Sequence, residues 1–339
     1  MLKNILVVKM SALGDVIHAL PVSYAIKETF PDAQLTWVVE PPAYDLVKMN
    51  PCIDKIIIFH KKEFKTISGF VRNFFPFKRE IQAENYDAVL DLQGLFKSAA
   101  IAFFAKSKVK LGVYEMRELS GKISKPVIGE NAHGHIVDIY LDTARAIGCR
   151  VDKVVFPIEI PAEEIKKAAV IAERDNLDMS EPYVVFAVGA NWVNKRWSAR
   201  NWAALVEWLY SGGVIPVVIG NGAADEEIVA KIEAMSSFPP VNLVGDTNLM
   251  QLAYILKNAR LVIGGDTGAV HLSAALGVRT LMLMGPTEAA RSGPYGQIQN
   301  SIEVNRACKN CRKRACPNGE DCLSVISVET VKHKISTMK

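Results

Sequence analysis

Twice along its length the chain alternates short aliphatic and β-branched runs with longer amphipathic stretches, and this doubled rhythm leaves few folds open. In the first half the runs are Ile5 to Val8, Leu35 to Val39, Lys55 to Phe59 and Ala88 to Leu92. In the second they are Tyr183 to Val188, Val214 to Ile219, Leu261 to Ile263 and Thr280 to Met284, introduced by a helical stretch that opens at Pro161-Ala162-Glu163-Glu164. Strands separated by helices pair in parallel through crossovers, and strands covered on both faces read as unbroken apolar runs. The expected class is therefore α/β, with two Rossmann-like halves. At 339 residues the chain is longer than one core usually serves. The segment VDKVVFPIEIP carries two prolines and little helical pattern, which puts the division there and gives domains 1–157 and 158–339. Open parallel sheets bind ligands beyond the carboxyl ends of their strands. Functional motifs should then follow strands, in a cleft where two such sheets face each other.

Composition narrows the function. Forty Lys and Arg against 36 Asp and Glu give a net charge of +4, too small to imply nucleic acid unless the positives cluster. They cluster in two places. Lys61, Lys62, Lys65, Arg72, Lys78 and Arg79 are opposed only by Glu63, and Arg306 to Arg314 holds five cations and no acid. Both stretches could bind anions. The N-terminus MLKNILVVKM lacks the long apolar core of an export signal and reads as a first strand. The longest uncharged run, Trp208 to Ala224, is broken by glycines and Pro216, so it reads as helix end, turn and strand. A soluble, cytoplasmic protein is expected.

Four motifs follow strands. Lys9-Met10-Ser11-Ala12-Leu13-Gly14-Asp15 ends the first and opens a helix through His18. Asp15 at that helix start is either a cap, as Asp commonly is, or a carboxylate facing substrate. The helix dipole would keep it ionised and make it a weak base that needs an acceptor hydroxyl held close. Gly264-Gly265-Asp266-Thr267-Gly268-Ala269-Val270-His271 joins a strand to a helix through a glycine turn, an arrangement suited to a diphosphate. It matches neither Walker A nor the spaced GxGxxG of dinucleotide folds, which also disfavours an NAD enzyme. Gly189 to Trp197 contains two tryptophans with Lys195 and Arg196, and Lys195 could neutralise a leaving phosphate. Gly220-Asn221-Gly222 precedes Asp225, Glu226 and Glu227, which are either dipole partners or holders of a sugar hydroxyl. Finally, Cys308, Cys311, Cys316 and Cys322 fall within fifteen residues. Four thiols can hold a structural zinc, although this spacing departs from paired CxxC knuckles, and closely packed free thiols are the alternative. A reducing cytoplasm disfavours disulfides.

Taken in order, KMSALGDVIHALP, DLQGLFKSA, the Lys195-Arg196-Trp197 loop and GDTGAVHLSAALGVRTLMLMGPTEAARSGPYG resemble glycosyltransferase family nine, the ADP-heptose:lipopolysaccharide heptosyltransferases, over nearly the whole chain. The resemblance implies a GT-B fold, an N-terminal acceptor domain, a C-terminal ADP-sugar domain, and a final helix packing back on the N-terminal domain. It implies inverting transfer of heptose from ADP-heptose without a catalytic metal. Asp15 matches the family's base and Lys195 its lysine at the diphosphate. Glu226 falls near the donor's adenosine or sugar. Asp266 would hold heptose hydroxyls, while Thr267, Gly268 and His271 would face phosphate. DLQGLFKSA with Gly112-Val113-Tyr114 and Arg117-Glu118 resembles members that add the first heptose to Kdo on lipid A. The four-cysteine insert resembles those that add the second. With the first favoured, Ser11, Gly14, His18, Lys61, Lys62, Lys65, Arg72, Lys97 and Arg117 are the expected contacts to an anionic acceptor, Kdo2-lipid A. Such an acceptor implies peripheral attachment to the inner face of the inner membrane. The mix of cations with Phe64, Phe70, Phe74, Phe75 and Phe77 between His60 and Arg79 fits either an interfacial element or a helix packed on its domain.

Overall fold

The computed structural model describes residues 2–64, 66–316, 319 and 322–338. The chain divides into two compact units, Met1–Glu159 and Ile160–Lys339. The first contains β1 (Asn4–Val8), α1 (Leu13–Thr29), β2 (Gln34–Val39), α2 (Tyr44–Lys48), β3 (Lys55–Ile58), α3 (Ile67–Ile81), β4 (Ala88–Asp91), α4 (Phe96–Phe104), β5 (Lys110–Gly112), β6 (Lys125–Pro126) and α5 (Ile136–Arg145). Its six strands are ordered β3-β2-β1-β4-β5-β6, and every pairing is parallel.

The second unit contains α6 (Ala162–Arg174), β7 (Tyr183–Ala187), α7 (Ala199–Ser211), β8 (Ile215–Ile219), α8 (Ala223–Met235), β9 (Val241–Asn242), α9 (Leu249–Asn258), β10 (Leu261–Gly265), α10 (Gly268–Ala275), β11 (Thr280–Met284), α11 (Ala289–Ser292), β12 (Ser301–Glu303) and α12 (Val328–Thr337). Its order, β12-β11-β10-β7-β8-β9, repeats that of the first sheet in mirror sequence, again with parallel pairings. Both units are thus doubly wound Rossmann-like sheets, as the alternation predicts. The eight strands read from sequence are all present. The four that were not read, β5, β6, β9 and β12, are edge or near-edge strands of two or three residues, too short to show a period.

In each sheet the winding reverses between the first and fourth strands of the unit, at β1/β4 and at β7/β10. That reversal opens a crevice beyond the strand ends. β1, β4, β7 and β10 are nearly or wholly buried, which makes the floor of each crevice rigid.

The second core shows how the fold fixes a loop at that edge. Trp197 and Trp202 meet edge to face at 4.9 Å, and Trp202 lies on Phe186 of β7 at 4.8 Å. The buried Trp197 indole donates from Nε1 to the Ile326 carbonyl at 2.9 Å. Ser198 then caps α7 by accepting from the Asn201 amide. A large aromatic thus pins the Gly189–Trp197 loop two residues beyond Lys195. α12 packs on α7, with Val331 inside the same core. We expect Trp197→Ala to cost about 3–5 kcal/mol through the cavity and the orphaned carbonyl. Urea denaturation of the variant checks this, and a loss below about 1 kcal/mol would show that the loop is held by other means.

Candidate active site

At the second switch point, one buried carboxylate gathers three donors. Asp266 follows β10. Its Oδ2 accepts from Lys195 Nζ at 2.6 Å and from Thr287 Oγ1 at 2.7 Å, and its Oδ1 lies 2.7 Å from His271 Nε2. These partners come from the loop after β7, from α10 and from the turn after β11. Burial alone would raise the Asp266 carboxyl, but the hydrogen bonds and charges of His271 and Lys195 outweigh it and hold the group far below the usual carboxylate range. Lys195 also lies 4.4 Å over the Trp192 ring. Close backbone approach explains the glycine pair: a Cβ on Gly265 would stand 2.0 Å from the Lys195 carbonyl oxygen, and one on Gly264 would meet Val270 and Ala187 within 3 Å. Gly268 opens α10, so amides at this helix start can take negative charge.

Glu226 is exposed on α8. The acid buried at the strand ends is its neighbour Asp225, which accepts from the Asn221 amide at 2.9 Å and has Arg196 Nη2 at 3.8 Å. Side chains at Gly189 and Gly220 would overlap the Asp225 carboxylate. Asp225 therefore locks two strand ends together.

The first unit's switch point is built around a lysine. Lys9 is 3 % exposed, and its Nζ donates to Leu92 O at 3.0 Å and to Tyr140 Oη at 2.7 Å. Burial lowers its pKa. The charges of Asp15 and Asp91 act against that shift, and those of Lys97 and Arg117 act with it. Asp15, Lys97 and Arg117 are thus brought within electrostatic reach of one point. Asp15 itself is exposed in the first turn of α1, where Oδ2 accepts from the Ala12 amide at 3.1 Å. It bonds the helix start through one oxygen while the residue stays exposed. Gln93 Oε1 accepts from the Met10 and Ser11 amides, both at 3.1 Å, so the loop after β4 grips the loop that carries Asp15. Lys97 bonds Glu40 at 2.5 Å and the Ser11 hydroxyl at 3.3 Å. Gly14 lies in the same helical turn as Asp15. His18 is buried edge to face with His135 at 5.6 Å. Lys61 and Lys62 are exposed on a short 3-10 turn after β3, Arg72 is exposed on α3, and Lys65 lies outside the described residues.

None of the four cysteines of the insert, read from sequence as a structural zinc site or as packed free thiols, is in a disulfide. Cys308 and Cys311 are exposed and Cys316 is partly so, while Cys322 is buried against Gly285. Among the described residues no three of His, Cys, Asp and Glu stand close enough together to hold a metal ion. Burial raises the Cys322 thiol pKa, which keeps it protonated. The Asn310 and Arg312 amides of the insert donate to the Gly285 and Pro286 carbonyls in the turn after β11.

Two doubly wound units, one with a carboxylate cluster beside a glycine-opened helix start at its switch point and one with an exposed carboxylate near cations, define a two-domain transferase of GT-B type. The profile described as glycosyltransferase family 9 (heptosyltransferase) matches residues 74–321. Lipopolysaccharide heptosyltransferase 1 of Pseudomonas aeruginosa is 30 % identical over 335 residues, covering 94 % of this chain and 89 % of that protein. Among solved structures, a family 9 glycosyl transferase from Veillonella parvula superposes with a TM-score of 0.85 at 24 % identity, covering 99 % and 96 % of the two chains. The E. coli heptosyltransferase WaaC with ADP-2-deoxy-2-fluoro heptose gives 0.75 at 25 % identity, covering 98 % and 99 %. This chain belongs to glycosyltransferase family 9, and it is an enzyme of that class.

The Asp266 cluster generates a pH prediction. The carboxyl's folded pKa lies below the unfolded value of about 3.9, so its stabilisation is complete above that value and is lost as pH falls toward the folded one. Asp266→Asn, which leaves a buried lysine without its partner, is expected to cost about 3–5 kcal/mol near neutrality. The melting-temperature gap between the two proteins should stay constant above about pH 5 and narrow below about pH 4. A gap unchanged at the acid end would refute the assignment of the ionised form to Asp266.

Proposed function

We propose that this enzyme transfers a heptose from ADP-heptose, with inversion, to a Kdo hydroxyl of Kdo2-lipid A, the first heptose transfer of lipopolysaccharide inner-core synthesis. The observation that carries the donor half is the convergence of Lys195, His271 and Thr287 on Asp266 beside the amides that open α10. The bond between the anomeric carbon and the diphosphate breaks while one forms to the acceptor oxygen, and negative charge builds on departing ADP. Lys195, His271 and the Thr267 and Gly268 amides are the groups suited to receive it. Asp266 Oδ2 is filled by Lys195 and Thr287. Its Oδ1 meets His271 Nε2, which leaves acceptor capacity for a sugar hydroxyl. Glu226, exposed in the first turn of α8, can reach a ribose hydroxyl, while Asp225 fixes the loop beneath it.

Asp15 takes the acceptor proton. Its dipole-stabilised carboxylate is a weak base, so close placement of the hydroxyl supplies much of the rate. Lys97 and Arg117 are the neighbouring cations for Kdo carboxylates, with Lys61, Lys62 and Arg72 further candidates for lipid A phosphates. The relatives' names support this choice of acceptor, since several at 28–30 % identity are lipopolysaccharide heptosyltransferase 1.

The test is incubation with ADP-heptose and either Kdo2-lipid A or Kdo-free lipid A, reading ADP release and product mass. One heptose gained on the Kdo2 acceptor alone is expected, and Asp15→Asn should bind ADP normally while turnover falls at least about 100-fold. ADP binding without transfer to either acceptor would redirect the assignment to a core already carrying one heptose.

An acceptor of this kind is embedded in a bilayer, and α3 offers a surface to meet it. No helix among the described residues is long and apolar enough to cross a membrane. Phe64 and Phe77 pack on Phe59 in the core, but Ile67 is 88 % exposed, Phe75 63 % and Phe103 of α4 61 %. Beside Phe75 a recess of about 410 Å³ is lined also by Lys78, Arg79 and Lys106. Aromatic side chains ringed by cations suit an anionic lipid surface. Cosedimentation with anionic vesicles should fall when Lys78, Arg79 and Lys106 are replaced by Gln. Binding indifferent to those charges would remove the attachment.

A further inference from the structure

The basic, cysteine-rich insert between β12 and α12 is left unused by the chemistry above, yet the fold sets it against the donor cluster from two sides. The Asn310 amide donates to Gly285 O at 3.0 Å and the Arg312 amide to Pro286 O at 2.8 Å. The next residue in that turn is Thr287, whose hydroxyl reaches Asp266. On the other side Asn194 Nδ2 donates to the Lys313 carbonyl at 2.6 Å, and Asn194 directly precedes Lys195. The insert is therefore stitched to two of the three segments that converge on Asp266.

Two further observations point to a ligand. Asn194 is 3 % exposed, and its Oδ1 has no hydrogen-bond partner among the described residues. The same is true of the buried Thr267 Oγ1 at the start of α10. Buried polar atoms of this kind are costly unless something polar completes them. Charge gives the second argument. Lys195 is the cation expected to meet the diphosphate, but its ammonium is already held 2.6 Å from the Asp266 carboxylate, which offsets much of its charge. A diphosphate needs more positive charge than that pair supplies. Arg312, Lys313 and Arg314 are consecutive and exposed, and the stretch Arg306 to Arg314 contains no acid. Arg312 lies in the left-handed backbone region (φ 54°), a sharp turn that separates successive side chains.

We propose that the insert completes the donor site, with Arg312, Lys313 and Arg314 binding the phosphate charge of a nucleoside diphosphate and Asn194 joining insert to cluster. This rests on the donor being an ADP-sugar. The guanidinium forks suit phosphate oxygens and the insert's hydrogen-bonded backbone holds them at the rim, so the contribution is to nucleotide affinity more than to turnover.

The test is calorimetric titration of the full chain with ADP and, separately, adenosine, at low and at moderate ionic strength. In the variant Arg312→Gln/Lys313→Gln/Arg314→Gln, the Kd for ADP should rise about tenfold or more, the equivalent of one lost charged hydrogen bond, with a shallower salt dependence. Adenosine affinity should not change. Arg312→Lys/Arg314→Lys, which keeps the charge but not the forked geometry, should restore the salt dependence and only part of the ADP affinity. A triple variant with an unaltered melting temperature, ADP affinity and salt dependence overturns the proposal and leaves the donor assignment standing. Failure of the unaltered protein to bind ADP overturns both.

Discussion

The second unit depends on one buried charge. Taking a carboxylate out of water costs several kcal/mol even after relaxation, and Asp266 is tolerated because Lys195, His271 and Thr287 all reach it. Those residues are separated by up to 92 positions in sequence, so the carboxylate fastens the loop after β7, the start of α10 and the turn after β11 into one surface. The glycines before it follow from the same demand. Gly265 has room for no side chain because the Lys195 backbone passes directly over it. The aromatic pair Trp197 and Trp202 then holds that backbone from the core side. The contacts that stabilise the carboxylate also bring the start of α10 and the loop after β7 together, above strands that are buried throughout.

The first unit fills its switch point differently. Its strand order is the same, but the side chain at the end of β1 is Lys9, buried and spent on a carbonyl and a tyrosine hydroxyl. Asp91, at the end of β4, is buried too. Burial raises its carboxyl, partly offset by the Gly94 amide and the Ser98 and Gln93 groups that bond it. Neither group is open to substrate. They shape the loops, and Gln93 completes the work by bonding two amides of the loop that carries Asp15. The exposed carboxylate therefore stands on a loop held from both sides. One winding has thus been specialised twice, once to collect negative charge and once to present a carboxylate among cations.

The apolar runs were enough to reveal the sheets, because strands buried on both faces leave little choice of residue: β1, β4, β7 and β10 each carry an unbroken run of at least three apolar residues. The candidate residues that follow those strands were legible for the same reason, since the switch-point rule says where to look. Thr287 and Gln93 were not, although both lie in segments that were recognisable. Thr and Gln carry no charge pattern or spacing that marks a partner 21 or 82 positions away, and only the folded loops reveal it. Asp225 and Glu226 are adjacent acids in one helical turn, and nothing in the sequence says which is buried. The fold decides, because Gly189 and Gly220 open space for Asp225 alone. The four cysteines carry two readings, a zinc site or packed thiols, and their spacing does not choose between them; among the described residues no three of His, Cys, Asp and Glu stand close enough together to hold a metal ion.

Charge placement links these observations. A net charge of +4 on 339 residues is small, yet most cations that matter here lie in two acid-poor stretches, one on each unit. In the first unit the cations of α3 and of the turn after β3 share a surface with exposed aromatics, a combination suited to an anionic headgroup bordered by hydrocarbon. In the second, the cations of the insert lack that aromatic company and are attached instead to the segments around Asp266, a combination suited to a small, highly charged ligand. The distinction follows from what surrounds each positive charge, since the Coulomb attraction of a lysine or arginine is the same in both places. Neighbouring phenylalanines favour contacts with lipid, whereas buried amides and an engaged lysine favour a diphosphate. On the proposed function, a single weakly basic chain holds a lipid-linked anion and a nucleotide anion without strong attraction to polyanions in general.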